Sequence, residues 1–323
     1  MNIMSKNEIF EILKLPFDEF NNTFKVKAKE MFIKNNGNKV SVTALLGYDN
    51  ICKNQCTYCG MRAGNSLVKR YRMGIEDIKK VEESVKKTGI KKVFLISGED
   101  PKYDFKDIVN AVSFGKKIGL NVSLAAGELS FDKYKELKES GLDEYVLKFE
   151  TSNKELFSRI KPSSTYEKRM SAIYNIKELK MELASGNIVG LPNQSLEDVA
   201  QDIVLMDELE ISWAPIIPYM PVPNTPLALE GERGSVRTTL KEISILRLIM
   251  PKVNITAQQP GEDLKNGLSD LKGNIDALEA GANILFVEML PEELAQDFTV
   301  IDRRMIKGME NVNKLVTLSA MTV

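Results

Sequence analysis

Residues 40–60 read VSVTALLGYDNICKNQCTYCG, an apolar β-rich run, Val40–Gly47, that passes within a few residues into a loop carrying Cys52, Cys56 and Cys59. Seven more such runs follow, at Lys92–Ser97, Asn121–Ala125, Glu144–Phe149, Glu182–Val189, Ser212–Ile217, Val253–Ala257 and Ala282–Val287. Helical patterns lie between them. Ile75, Ile78, Val81 and Val85 share one face of GIEDIKKVEESVKK, which Gly89 closes, and Met170, Ile173, Ile176 and Leu179 share one face of RMSAIYNIKELK. The segment from Ser195 to Leu209 opens with a capping serine and acids in its first turn, and the one from Thr239 runs until Pro251 stops it. Parallel strands need such helical crossovers, because the chain must return to the same end of the sheet before each new strand. Eight of them in one chain predict a (β/α)8 TIM-type barrel over residues 40–290. An N-terminal helical extension, residues 1–39, and a C-terminal extension packed on the barrel, residues 291–323, complete the expected organisation. The cysteine loop follows the first strand, which places it on the barrel face where active sites are built.

Composition narrows the chemistry. The chain has 44 Lys and Arg against 45 Asp and Glu, a net charge of −1, in mixed runs that steer toward neither nucleic acid nor an anionic membrane. No segment has the apolar length of a membrane span, and the first thirty residues carry acids and bases throughout, unlike a signal peptide. A cytoplasmic protein is expected. Histidine is absent. That removes the commonest general base, the commonest zinc ligand and every Ser-His or Cys-His nucleophile pair.

The three cysteines are all the chain has, spaced Cys-x3-Cys-x2-Cys among polar residues. Their odd number and tight grouping do not suit a disulfide framework. Three thiolates on a short loop can each take one iron of a [4Fe-4S] cluster and leave the fourth iron open. A closed zinc site would need a fourth ligand, and with no further cysteine or histidine a carboxylate would have to serve.

CKNQCTYC matches the CxxxCxxC signature of the radical S-adenosylmethionine (SAM) superfamily, and further segments resemble its biotin-synthase-like branch. CTYCGMRAGNSLVKRYRM resembles the cluster loop and the basic segment after it. SGEDP (97–101), ETSNKELFSRIKP (150–162), GNIVGLP (186–192) and PYMPVPNTPL (218–227) resemble the loops after strands two, four, five and six. Within the branch the sequence looks most like the HydE family of [FeFe]-hydrogenase maturases, with HmdB and the methylornithine synthases (PylB) as close relatives. The resemblance implies that SAM, through its amino and carboxylate groups, completes the cluster. An electron from a donor such as ferredoxin or flavodoxin then cleaves SAM to methionine and a 5′-deoxyadenosyl radical.

SAM brings an ammonium, a carboxylate, a ribose and an adenine, so its site should offer an acid, a base and an apolar wall. Glu150, past the fourth strand, suits the ammonium or ribose, and Arg169 suits a bidentate grip on the carboxylate. The resemblance gives both residues SAM-contacting roles. Taken alone, Glu150 is equally an ordinary loop acid and Arg169 a solvated helix residue. Tyr58 would stand beside the adenine or simply pack the loop. Ser97, Gly98 and Glu99 would bring a backbone carbonyl to the ammonium, Gly98 permitting close approach, although SGED before proline is also a good turn. Ile188 and Val189 would wall the adenine, or pack as ordinary core.

Substrate contacts are expected from Glu128, Lys148, Tyr219, Gln258, Gln259 and Glu288, each near the top of a strand. The substrate would be a small molecule or a metallocofactor precursor. Two departures from the relatives matter. No cysteines remain for a sulfur-donating second cluster, and the segment Lys148-Phe149-Glu150 stands where HydE-type maturases commonly carry a histidine beside the glutamate. The reading is a radical SAM enzyme in biosynthesis of a hydrogenase metallocofactor. An amino-acid carbon-skeleton mutase resembling methylornithine synthase and a non-catalytic iron-sulfur scaffold are the alternatives.

Overall fold

The computed structural model describes residues 4–323. Eight parallel strands form the barrel: β1 Ser41–Asp49, β2 Lys92–Ser97, β3 Asn121–Ala125, β4 Glu144–Val146, β5 Glu182–Ala184, β6 Trp213–Ala214, β7 Asn254–Ile255 and β8 Ile284–Glu288. From β1 to β7 each pairs with the next, and β8 pairs with β1. The ring closes at one point. There Thr256 bridges Ile284, Asn283 N–H donates to the Ile255 carbonyl at 3.0 Å, and Ala257 N–H donates to that of Ile284 at 2.8 Å.

Helices cover the outside. They are α1 Lys6–Lys14, α2 Phe17–Phe20, α3 Val26–Asn36, α4 Ile75–Thr88, α5 Phe105–Lys117, α6 Phe131–Glu139, α7 Lys154–Ile160, α8 Tyr166–Glu178, α9 Leu196–Glu208, α10 Val236–Ile249, α11 Leu271–Glu279, α12 Glu292–Ala295 and α13 Met309–Leu318. The sequence signals act as expected. Gly89 ends α4 at a φ of 84°, which glycine adopts without cost, and Ser195 caps α9 in a reciprocal box with Asp198. Among the described residues no helix is long and apolar enough to cross a membrane.

Several strands are shorter than the sequence runs imply, the run 253–257 keeping only Asn254–Ile255 as strand. The run 182–189 breaks after Ala184 and resumes as the pair Ile188–Val189. The run 212–217 breaks at Pro215 and resumes at Ile217–Pro218, which pairs with Ile188–Val189 as a separate two-stranded rim. Proline lacks the N–H that a ladder needs at that point. The fourth run ends at Val146, ahead of Glu150, whose φ of 68° is left-handed.

Alternation sorts the strand residues. Ala44, Leu46, Val93 and Leu95 face the helices, whereas Leu45, Phe94, Val146, Trp213, Ile284 and Phe286 form a second cluster inside the barrel. Below that cluster Glu144 accepts from Lys92 Nζ, Ser123 Oγ and Ser212 Oγ, each at 2.7 Å, so its buried charge is paired and hydrogen-bonded. The N-terminal arm packs along α9 and α10. Lys241 Nζ of α10 donates to the carbonyl of Leu13 at 2.7 Å, and Asn36 of α3 reaches the Pro251 carbonyl at 3.2 Å. At the other end of the chain, residues 296–307 cross the top of the barrel as a strap, Phe298 lying against Gly47, before α13 packs on α11 and β8.

Candidate functional site

Cys52, Cys56 and Cys59 line one cavity of about 320 Å³ at the top of the barrel, under the strap. The loop that carries them is held from several sides. Thr57 N–H donates to the Ile160 carbonyl at 2.9 Å, and Gln55 N–H to Ser163 Oγ at 2.8 Å. Arg70, from the basic segment, gives its guanidinium to four carbonyls, those of Asn50, Met61, Arg62 and Asn65, at 2.7 to 3.1 Å. Its charge therefore serves the loop, satisfying carbonyls that no helix or sheet takes up.

The thiols sit where a proton is hard to lose. Burial pushes Cys52 up, and burial together with the neighbouring Cys56 pushes Cys59 up to about 12. Such thiols ionise only against a strong cation, as when a metal takes them. Cys52 Sγ accepts from Glu99 N–H at 3.4 Å and Cys56 Sγ from Lys161 Nζ at 3.5 Å, contacts that also suit coordinated thiolates. Among the described residues no three Cys, Asp or Glu side chains gather tightly enough to hold one metal ion. Three sulfurs around a cavity fit a multi-iron group, each taking one corner.

The expected SAM-contacting residues meet in the same cavity with one exception. Tyr58 Oη donates to Glu150 Oε1 at 2.9 Å, and Lys148 Nζ lies 3.7 Å from Glu150 Oε2. Glu150 itself is clamped to the rim, its N–H donating to the Gly186 carbonyl at 3.0 Å and its carbonyl accepting from Ile188 N–H at 2.9 Å. These bonds hold a glutamate in a left-handed conformation that costs it on the order of 1 kcal/mol or more. Arg169 is buried, not a solvated helix residue. Its Nε donates to Glu128 Oε1 at 2.9 Å and its Nη1 to the Lys148 carbonyl at 2.6 Å. Burial acts to lower its pKa, and the Glu128 and Glu150 carboxylates outweigh that and raise it. Two of its three nitrogens are thus committed. Three of its five N–H donors, one on Nη1 and two on Nη2, stay outside these two bonds.

Ser97, Gly98 and Glu99 lie on the wall beside the cysteines. Ser97 Oγ is turned to Tyr48 Oη at 2.9 Å, and Glu99 lies 3.5 Å from Lys53 Nζ. A Cβ at Gly98 would come within 2.1 Å of the Ile51 carbonyl oxygen, so only glycine lets the second-strand loop seat against the cysteine loop. Ile188 lines the cavity; Val189 does not and packs in the core behind it.

The expected substrate contacts divide. Lys148 and Tyr219 line the cavity. Burial lowers the Lys148 ammonium and raises the Tyr219 phenol to about 12. Gln258 also lines it, yet both ends of its amide are bonded to the Phe286 backbone, at 2.9 and 2.8 Å. Gln259 donates to the carbonyls of Ile216 and Thr256 and lies outside the lining. Glu128 is taken up by Arg169 and by Ser164 at 2.8 Å, which hold its carboxyl below the ordinary range despite burial. Glu288 turns to the strap, where Arg304 donates to it. Sequence reasoning missed Lys161 and the strap residues Val300, Ile301, Arg304 and Ile306, all on the cavity wall. Lys161 lay at the end of a quoted motif; the strap carried no periodic signal.

Residues 49–206 match the family model of the radical SAM superfamily. The chain is 34% identical over 286 residues to the [FeFe] hydrogenase maturase subunit HydE of Thermotoga maritima, a match spanning 88% of this chain and 80% of that protein. It is 28% identical over 262 residues to the 3-methylornithine synthase of Methanosarcina acetivorans, covering 80% of this chain and 71% of that one. Its fold superimposes on the crystal structure of methylornithine synthase (PylB) with a TM-score of 0.84 at 25% identity, over 98% of this chain and 93% of that one.

Proposed function

The chain belongs to the radical SAM superfamily, in its biotin-synthase-like branch, and is an enzyme; from that premise we propose that it cleaves SAM reductively to initiate a step in hydrogenase metallocofactor biosynthesis. Membership implies a [4Fe-4S] cluster and SAM. When bound, the reduced cluster supplies the electron that splits the sulfonium into methionine and a 5′-deoxyadenosyl radical. Cys52, Cys56 and Cys59 would hold the cluster, and the carrying observation is that all three line one cavity with Arg169, Glu150 and Tyr58. Arg169 offers Nη2 to the methionyl carboxylate. Glu150, fixed by Tyr58 and Lys148, offers negative charge to the ammonium or acceptors to the ribose. Ile188 supplies an apolar surface for the adenine. The strap and the predominantly apolar lining would limit water around a primary carbon radical.

The hydrogenase assignment is supported by the 34% identity to HydE. The PylB superposition favours a second reading, a carbon-skeleton rearrangement of an amino acid. Both use a small-molecule substrate and a donor such as ferredoxin or flavodoxin. Anaerobically reconstituted enzyme with dithionite should form 5′-deoxyadenosine, and Cys56→Ala should not. An intact cluster with no SAM cleavage would leave the scaffold reading standing. Loss of hydrogenase activity on deleting the gene in its host supports maturation, and unchanged activity counts against it.

A further inference from the structure

Asp202 of α9 is buried, and its carboxylate is bonded to the two loops that bring Glu150 and Ile188 to the cavity. Its Oδ1 accepts from Ser152 N–H at 2.6 Å, and its Oδ2 accepts from Asn187 Nδ2 at 3.0 Å and Gln194 Nε2 at 3.2 Å. These donors come from both sides of one junction. Ser152 follows Glu150 in the loop after β4, whereas Asn187 and Gln194 stand before and after the rim residues Ile188 and Val189. Asn187 is also the residue that Glu150 meets in a parallel bridge, so one carboxylate holds both chains of that bridge.

The pattern of donors demands an acid. Gln194 Oε1 accepts from Gly190 and Leu191 N–H at 2.6 and 3.2 Å, which leaves its NH2 group for Asp202. Gly190 has a φ of 76°, so the same side chain holds the left-handed turn that follows the rim. With donors on both oxygens, position 202 must accept on both arms. An asparagine there would set its own NH2 against Ser152 N–H or against the two side-chain amides. Burial pushes the Asp202 carboxyl up to about 7, the bonds from Ser152 and Asn187 acting the other way. The titratable groups facing it are Asp198 of its own helix, Tyr166 of α8 and Glu242 of α10, whose other charged neighbour is Lys148. Burial and the charge of Asp202 hold Glu242 well above the ordinary carboxylate range, so Asp202 is the acid of the two that ionises first. A carboxylate buried among neutral donors is expensive. Here it fixes the spacing between Glu150 and Ile188.

We propose that Asp202 is a positioning residue for SAM: from α9 it locks the loop that carries Glu150 to the rim that carries Ile188, and so sets the distance between the polar and adenine ends of the site. This rests on the reading of the cavity as the SAM site.

Equilibrium dialysis of labelled SAM against reconstituted holoenzyme tests it. Above neutral pH, Asp202→Asn should bind SAM about tenfold more weakly than wild type with iron content unchanged, the effect of losing hydrogen bonds to a charged group. Wild-type affinity should fall toward that of the variant as pH drops below about 7, where the carboxyl takes up its proton; parallel pH curves overturn the proposal. Ile203→Val, a truncation in the buried face of α9, lowers stability without touching the junction and should bind SAM as wild type does. An equal loss of affinity there, or no loss in Asp202→Asn, overturns the proposal. Hydrogen exchange of the holoenzyme without SAM should quicken in Asp202→Asn at the Ser152, Ile188 and Leu191 amides and stay unchanged along β1 and β2; full protection at those three amides also overturns it. Should Asp202→Asn fail to fold, Asn187→Ala carries the test, since it removes one bond and keeps the acid: a several-fold loss of SAM affinity is expected, and unchanged affinity overturns the proposal. Wild type that binds no SAM sinks the reading of the cavity and the proposal with it, whereas wild type and Asp202→Asn that bind SAM equally sink the proposal alone.

Discussion

Replacing Glu128 by alanine should destabilise the protein more than replacing it together with Arg169. The guanidinium of Arg169 is buried and its Nε lies 2.9 Å from Glu128, whose side chain is only 5% exposed. Removing one partner of a buried pair leaves an uncompensated charge, at a typical cost of about 3–5 kcal/mol. Arg169 keeps the Lys148 carbonyl at 2.6 Å and the nearby charge of Glu150, so the lower end, roughly 3 kcal/mol, is expected. Adding Arg169→Met removes the stranded charge and should recover much of the loss. Urea unfolding of the apoprotein, followed by far-UV circular dichroism, gives the double-mutant cycle. The pH dependence has a definite sign. Arg169 and Ser164 depress the Glu128 carboxyl, so the pair contributes fully above the ordinary glutamate range and is lost as pH falls below it, a slope absent from Glu128→Ala. Additive single-mutant losses, or a Glu128→Ala protein within about 0.5 kcal/mol of wild type, would show that Arg169 is not held by this pair.

Three further outcomes follow from particular contacts. Gly98→Ala should lower the iron bound per protein after reconstitution, because its Cβ would collide with the Ile51 carbonyl next to Cys52; full iron loading would contradict the packing. Lys161→Met removes a cation 3.5 Å from Cys56 Sγ and should lower the cluster midpoint potential, measured by EPR-monitored redox titration, whereas an unchanged potential would place the ammonium away from the sulfur. Glu82, buried in α4 without a hydrogen-bond partner for either oxygen among the described residues, has its carboxyl raised by burial from 4.5 to about 8, so it costs stability increasingly as pH rises through that interval. Glu82→Gln should therefore gain on wild type between those values and level off above them; a pH-independent difference would show the carboxyl to be solvated.

What the sequence made legible was local or periodic. The cysteine loop, the helix faces and caps, and the existence of all eight strands followed from spacing and alternation, because each is fixed by neighbours a few residues away. The strand ends were not, since Pro215 and the left-handed Glu150 act on hydrogen bonds to other strands. Position at a strand end did not show which side chains the protein itself takes up. Gln258 and Glu288 lie where the barrel predicts, yet both side chains are occupied by backbone or by the strap, which no periodicity announces. Arg304 becomes visible only once residues 296–307 are seen to cross the barrel mouth, some 250 residues in sequence from the cysteines they cover.

The central claim is that SAM supplies the ligand missing from Cys52, Cys56 and Cys59. Electron-nuclear double resonance of the reduced cluster, with SAM carrying ¹⁵N in its methionyl amino group, tests it directly. A resolved ¹⁵N coupling that appears only with labelled SAM is the expected result. A cluster whose signal is unchanged by SAM, with no nitrogen coupling, would mean that the fourth iron is ligated otherwise and that the cavity does not receive SAM as described.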